Sequence, residues 1–219
     1  VDPKIVFFDM DHTLMNNDMD VSWKSFLIEE GLAQPSERDE AGEFYRQYLE
    51  ARLDVESFLR FQLRQFRQKR PEEMQTLVER HFERYGRPKI YPEAQREVRR
   101  YQGKGIPTVM LTSTSEAIAG PVARWFRFEA LLATRLVVCD GRYTGEIIPP
   151  YCYGEGKIHH ALPTCQDRGL RLEEAGYYGD SDSDIPLLSA VGFPVAVNPK
   201  KNLERLAAER GWPVKRWRV

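Results

Sequence analysis

Asp9 and Asp11 stand two apart at the end of an apolar run, Ile5-Val6-Phe7-Phe8. Residues i and i+2 of an extended chain point the same way, so both carboxylates leave the strand on one side. Like charges held side by side are costly unless something pairs with them. A divalent cation and a phosphate-bearing substrate would together give the pair a use. The alternative is a strand that ends in a solvated acidic turn. Far downstream, Asp180, Asp182 and Asp184 put three acids within five residues. Helix capping accounts for one of them. The Asp-x-Asp-x-Asp run is not a calcium loop. An EF-hand needs Gly at its sixth position and Glu at its twelfth, and Ile185 and Val191 stand there.

Two further positions suit an anion. Thr108-Val109-Met110-Leu111 reads as a buried strand that runs into Thr112-Ser113-Thr114-Ser115. Hydroxyls at the end of a parallel strand can hold a phosphate oxygen, which makes Thr112 a candidate. Thr114 and Ser115 read as ordinary caps of the next helix. Gly154-Glu155-Gly156-Lys157 opens a helix. A lysine there opposes the helix dipole, which points to a bound anion, whereas on its own it reads as an exposed lysine. The arginines and lysines from Arg60 to Arg70 read as a solvated helix face paired with acids elsewhere. His12 gets no chemistry, and His159 and His160 lack a second ligand cluster.

These residues need elements to position them. Apolar runs at 5–8, 108–111, 131–134, 175–179 and 194–197 alternate with helical patterns, which predicts a parallel α/β sheet with helices on both faces. Val137-Val138-Cys139 and Arg142-Tyr143-Thr144 flank Asp140-Gly141 and predict a hairpin. Trp212-Pro213-Val214 predicts a short edge strand. Between the first strand and Thr108 lies a different pattern of four helical segments. Trp23, Phe26 and Leu27 mark the first, with Gly31 as its stop. Ser36 can cap a second, with Ala41, Phe44, Tyr45 and Tyr48 on one face. Asp54 can cap a third, with Leu53 and Phe58 as a hydrophobic staple. Pro71 opens a fourth, with Met74, Leu77, Val78, His81 and Tyr85 inward. The domain expectation is a core of 1–15 and 91–219 and a helical insert of 16–90.

The 219 residues are 42% hydrophobic and 30% charged, with a formal net charge of -1. That permits a sizeable core and argues against disorder and against a basic nucleic-acid-binding surface. No apolar run approaches the roughly 20 residues a membrane span needs. The first apolar run reads as a strand rather than a signal peptide. Cys139, Cys152 and Cys165 are odd in number and lack a C-x-x-C, which fits a reducing cytoplasm better than a disulfide framework or zinc ribbon.

Asp9-x-Asp11-x-Thr13, Thr112, Lys157 and Asp180/Asp184 fall in the order of the four motifs of the haloacid dehalogenase-like superfamily, and the chain resembles it over nearly its whole length. Leu111 to Ala123, Gly179-Asp180-Ser181 through Leu188, and Arg210-Gly211-Trp212-Pro213 resemble its phosphoserine-phosphatase-like branch, which carries a helical cap where this chain has its insert. The resemblance implies a Rossmann-like core and a Mg²⁺-dependent phosphatase acting on a small phosphorylated metabolite. Asp9 would be the nucleophile, ionised without help from a base. Asp11 would be the general acid and then the base. Thr112 and Lys157 would hold phosphoryl oxygens. The implied Mg²⁺ ligands are Asp9, the Asp11 carbonyl and Asp180, while Asp184 would act through water or orient Lys157. Phosphoserine- and histidinol-phosphate-like substrates both suit this branch. Asp18 or Asp20 with Arg52 or Arg60 would read the head group. A phosphotransferase or mutase would use the same intermediate, and a phospho-acceptor switch would share the strand-end Asp, Thr and Lys.

Overall fold

The computed structural model describes residues 2–50, 52 and 54–219, the side chains of Tyr48 and Leu49 excepted. The expected Leu53–Phe58 staple and the inward side chain of Tyr48 therefore lie outside the described residues. Strand β1 (Ile5–Phe8) is fully buried. Its neighbours are β2 (Thr108–Ser115) and β5 (Ala175–Gly179), both parallel to it. Beyond β2 come β3 (Ala130–Cys139) and the antiparallel β4 (Arg142–Ile148). Beyond β5 come β6 (Phe193–Val197) and the short edge strand β7 (Val214–Lys215). The order is β4-β3-β2-β1-β5-β6-β7. The chain builds outward on one side of β1, then returns and builds on the other. That reversal leaves a crevice at the carboxyl ends of β1, β2 and β5, where open α/β sheets hold their ligands.

Alternation along the strands gives the sheet two apolar faces. Val6, Phe8, Met110 and Tyr178 face α5 (Pro92–Gly103) and α6 (Glu116–Phe126). Ile5, Phe7, Val109 and Tyr177 face α7 (Glu155–Gln166), α8 (Ile185–Ala190) and α9 (Lys201–Arg210). The expected α/β core with helices on both faces is thus observed. Three elements run further than the sequence suggests. Strand β2 continues through Ser115, because Ser115 still pairs with Thr134. Strand β3 is one element that reaches the hairpin turn, where Asp140 and Gly141 both have positive φ. Helix α7 continues past Pro163, which sits beyond its first turn.

The insert holds α1 (Met19–Glu29), α2 (Glu37–Leu49), α3 (Val55–Gln62) and α4 (Pro71–His81). Asp54 caps α3 by accepting from the Glu56 and Ser57 amides. Helices α1 and α4 pack on α6, and α3 packs on β4. The chain crosses into these helices after Met15 and back at Ile90, and these two residues form a β-bridge. Asn16 N–H donates to Lys89 O at 2.8 Å and Tyr91 N–H to Leu14 O at 3.0 Å. The two crossings therefore run side by side. Among the described residues no helix is long and apolar enough to cross a membrane.

His81 is fully buried between α4 and α1, with Trp23, Phe26 and Tyr85 around its ring. Its Nε2 lies 2.9 Å from the Ser22 hydroxyl, and its Nδ1 has no partner. Burial lowers its pKa to about 3. An unfolded histidine takes a proton near pH 6.5, so the unfolded state binds more protons between those values and stability falls as pH falls. Stability supplied by the neutral ring should drop by about 2 kcal/mol between pH 8 and pH 5. Urea unfolding of wild type and His81→Gln at both pH values checks this: the gap between the two proteins should narrow by that amount at pH 5.

Candidate active site

Lys157 sits at the centre of the crevice with 1% of its surface exposed. Its ammonium donates to Asp9 Oδ1 at 2.8 Å, to the Tyr177 hydroxyl at 2.9 Å and to Asp184 Oδ1 at 2.5 Å. Three protons meet three acceptors. The reason the lysine can enter lies one residue earlier. A Cβ on Gly156 would stand 1.9 Å from Tyr151 O, so only glycine lets the start of α7 come this close. Burial works against the Lys157 charge, yet Asp184 and Asp9 hold its pKa well above the ordinary value.

Asp184 is held by everything around it. Oδ1 accepts from Lys157 and from the Tyr177 hydroxyl at 2.5 Å. Oδ2 accepts from the Asp180 and Ser181 amides at 3.0 Å each and from the Ser181 hydroxyl at 3.1 Å. Burial alone would raise its pKa, but Lys157, Tyr177 and Ser181 bring it below the ordinary carboxylate value. Asp9 and Asp180 go the other way. Burial raises Asp9, Lys157 opposes it and Asp184 adds to it, and the carboxyl ends at about 6. Burial, then the charges of Asp184 and Asp9, push Asp180 well above the usual range. Asp180 Oδ2 is buried with no hydrogen-bond partner, and the Lys200 ammonium is 3.8 Å from it. Oxygens of Asp9, Asp180 and Asp184 lie within 4.8 Å of one another. A hard divalent cation fits this donor set, since it would occupy the orphaned oxygen and relieve the crowded charge. Both Asp184 oxygens already have partners, so its geometry suits orienting Lys157.

Asp11 belongs to a second cluster, at the mouth of the insert. Its Oδ1 accepts from the Met19 amide at 2.8 Å, at the start of α1. Its Oδ2 is 2.9 Å from the Thr114 hydroxyl, which is also 3.2 Å from Asp20 Oδ2. One hydroxyl proton cannot serve two carboxylates, so the bridge is complete only when one acid carries a proton. The surroundings favour that state. Burial, then Asp18, Asp9 and Asp20, push Asp11 well above the usual range. Burial and Asp18 take Asp20 to about 7, against Gln62 and Thr114. Thr112 is buried, and its hydroxyl accepts from the Thr114 amide at 3.2 Å.

The structure therefore gathers Asp9, Asp11, Thr112, Lys157, Asp180 and Asp184 at one strand-end crevice, with Asp18 and Asp20 beside it. Arg52 is not there: it is exposed and paired with Glu50. Arg60 points out as well and pairs with Glu56 at 2.5 Å. Arg60 finds Glu56 one helical turn away on α3, and Arg52 finds Glu50 two residues before it in the connection between α2 and α3. Thr114 does not cap α6, because its hydroxyl is turned to Asp11 and Asp20. Ser115 precedes α6 without a side-chain cap bond. Sequence reading missed Tyr177, for which the only signal was a hydroxyl-bearing ring inside an otherwise buried strand.

Comparison with known proteins shows the family. The family model described as haloacid dehalogenase-like hydrolase matches residues 6–189. The chain belongs to that family. Proteins named phosphatases are among its relatives and structural neighbours. It is 38% identical over 215 residues to a Neisseria meningitidis protein named histidinol-phosphatase, covering 96% of this chain and 97% of that one. A solved Bordetella pertussis protein of unknown function superposes with a TM-score of 0.90 at 32% identity, covering 98% and 99%. A phosphoserine phosphatase solved as a phospho-aspartyl intermediate analogue has the same fold, with a TM-score of 0.69 at 19% identity over 94% of this chain and 91% of that one.

Lys157→Met removes the cation from between Asp9 and Asp184. Breaking a buried pair from one side costs about 3–5 kcal/mol. The stranded carboxyls then have folded pKa values raised above their unfolded ones. The folded state binds the extra protons, so the variant loses stability as pH rises. Metal-free Lys157→Met should be most destabilised near pH 8 and less so near pH 5, measured by urea unfolding at both.

Proposed function

We propose that the chain is a Mg²⁺-dependent phosphomonoesterase that works through a phospho-aspartyl intermediate on Asp9. The observation that carries this reading is Lys157, held between Asp9 and Asp184 beside the orphaned oxygen of Asp180. A phosphate monoester would enter with its phosphorus in line with Asp9 and its oxygens toward Lys157 and Thr112. The Lys157 charge is fixed before the substrate arrives, so it stabilises developing negative charge without reorganising. Asp11, kept protonated by its surroundings, gives its proton to the departing alcohol oxygen. Having done so, it is the base that takes a proton from water, and that water attacks phosphorus and frees Asp9. Asp9 and Asp180, with the Asp11 carbonyl, would hold the Mg²⁺. When bound it supplies positive charge that offsets the acids and the phosphate.

Residues 16–90 serve as the cap in this reading, closing on the paired crossings at Met15 and Ile90. Closure strengthens the electrostatics by excluding bulk water. The substrate is a small metabolite of the phosphoserine or histidinol phosphate kind, handled in the cytoplasm. Support for that range comes from the names of the relatives and from the acids at the cap entrance.

Phosphate release from a panel of phosphomonoesters, with Mg²⁺ and with chelator, tests the reading. Release should need Mg²⁺ and should fall by about a thousandfold or more in Asp9→Asn. Acid-quenched label on Asp9 that turns over with product release would accompany it. Stable label without hydrolysis would instead make the chain a transferase or a switch.

A further inference from the structure

Beside Asp11, the insert encloses a cavity. Its floor is Asp11, Asp18 and Asp20, and its walls include Phe44, Phe58 and Gln62. Asp18 caps α1 by accepting from the Val21 amide at 3.0 Å, which fixes its side chain. The Phe44 ring packs edge-on to Phe58 with centroids 5.7 Å apart, and Phe61 lies behind at 5.2 Å. Gln62 is 6% exposed. Its amide faces Asp20, yet its Nε2 has no hydrogen-bond partner of normal geometry. A buried amide donor left unpaired costs free energy that a ligand acceptor would return.

Among the described residues no arginine or lysine lines this cavity. The two arginines that could have read a carboxylate, Arg52 and Arg60, point outward to Glu50 and Glu56. Lys24 lies behind Phe61, 4.1 Å from the ring centroid, with its ammonium donating to Glu37 at 2.8 Å and Gln65 at 2.7 Å. Three acids thus share one pocket without a cation of their own. A leaving alcohol released at Asp11 extends into this space. A carboxylate on it would meet acidic side chains and no basic one. An ammonium would offset them, and aromatic walls add to the attraction for a cation.

We infer that the cavity selects phosphomonoesters whose alcohol carries an ammonium and a flat ring with a hydrogen-bond acceptor, and no carboxylate. Asp20 and Gln62 set that choice: Asp20 holds the ammonium, Gln62 donates to the ring acceptor, and Phe44 and Phe58 hold the ring faces. The inference rests on the phosphatase reading and decides within it. Histidinol phosphate has all three features. Phosphoserine has the ammonium, lacks the ring and adds the excluded carboxylate.

The test is kcat/KM of the Mg²⁺-loaded protein for histidinol phosphate, phosphoserine and p-nitrophenyl phosphate, in wild type, Asp20→Asn and Gln62→Leu. Wild type should prefer histidinol phosphate over phosphoserine by about a hundredfold or more. In each variant the ratio of histidinol phosphate to p-nitrophenyl phosphate should fall by about tenfold. Equal or better use of phosphoserine overturns the inference, as does an unchanged ratio in both variants. Should no ester turn over, the phosphatase reading is what fails. Calorimetric binding of histidinol phosphate and phosphoserine to the same Mg²⁺-loaded wild type then decides the inference by itself, equal affinities overturning it and preference for histidinol phosphate supporting it.

Discussion

A lysine with no access to water has to be compensated on every side, and most of this structure follows from how Lys157 is. Its three protons go to Asp9, Tyr177 and Asp184. Each partner comes from a different element. Asp9 follows β1, Tyr177 lies in β5 and Asp184 opens α8, and Gly156 gives the lysine its way in. A buried ion pair gains its Coulomb energy only when remaining lone pairs are also satisfied. That explains why Asp184 takes amides from two successive residues and a hydroxyl as well. Gly179 belongs to the same constraint, since a Cβ there would come within 2.7 Å of the Asp184 side chain.

The insert reaches the core through a second shared interaction. Asp11 accepts from the first turn of α1, so the positive end of that helix meets the carboxylate. Thr114 joins the same carboxylate to Asp20 across the gap between β2 and α1. Asp11 is therefore tied at once to the strand that precedes it, the strand beside it and the helix that follows. Any movement of the insert changes the field at the residue proposed to move the proton. The proposed strand-end chemistry and leaving-group recognition meet at one side chain.

The parallel sheet was legible because its inner strands are buried on both faces and read as plain apolar runs, as at Ile5–Phe8 and Ala175–Gly179. The hairpin was legible because Asp140-Gly141 is one of the few pairs that tolerate two positive φ angles. Strand ends were less so. Thr112 to Ser115 look like a capping sequence, but pairing with β3 keeps them extended and turns Thr114 inward. Arg52 and Arg60 were attractive as anion readers by position along the chain alone. Local geometry gave each a glutamate two or four residues away, and an exposed side chain settles on the nearest partner.

Residue type and order along the chain determined which side chains meet at the candidate site. Carboxylates, a threonine and a lysine after successive apolar strands must converge once those strands lie parallel, because the carboxyl ends then share one edge of the sheet. What the sequence could not hold is any property that depends on two distant segments sharing a volume. Only the folded chain made Lys157 a buried cation rather than a surface one, left Asp180 with an orphaned oxygen, and set Thr114 between two acids 94 and 103 residues away. The proposed protonation, metal fit and leaving-group choice all rest on burial and short-range charge, which act over ångströms in space and leave no mark on spacing along the chain.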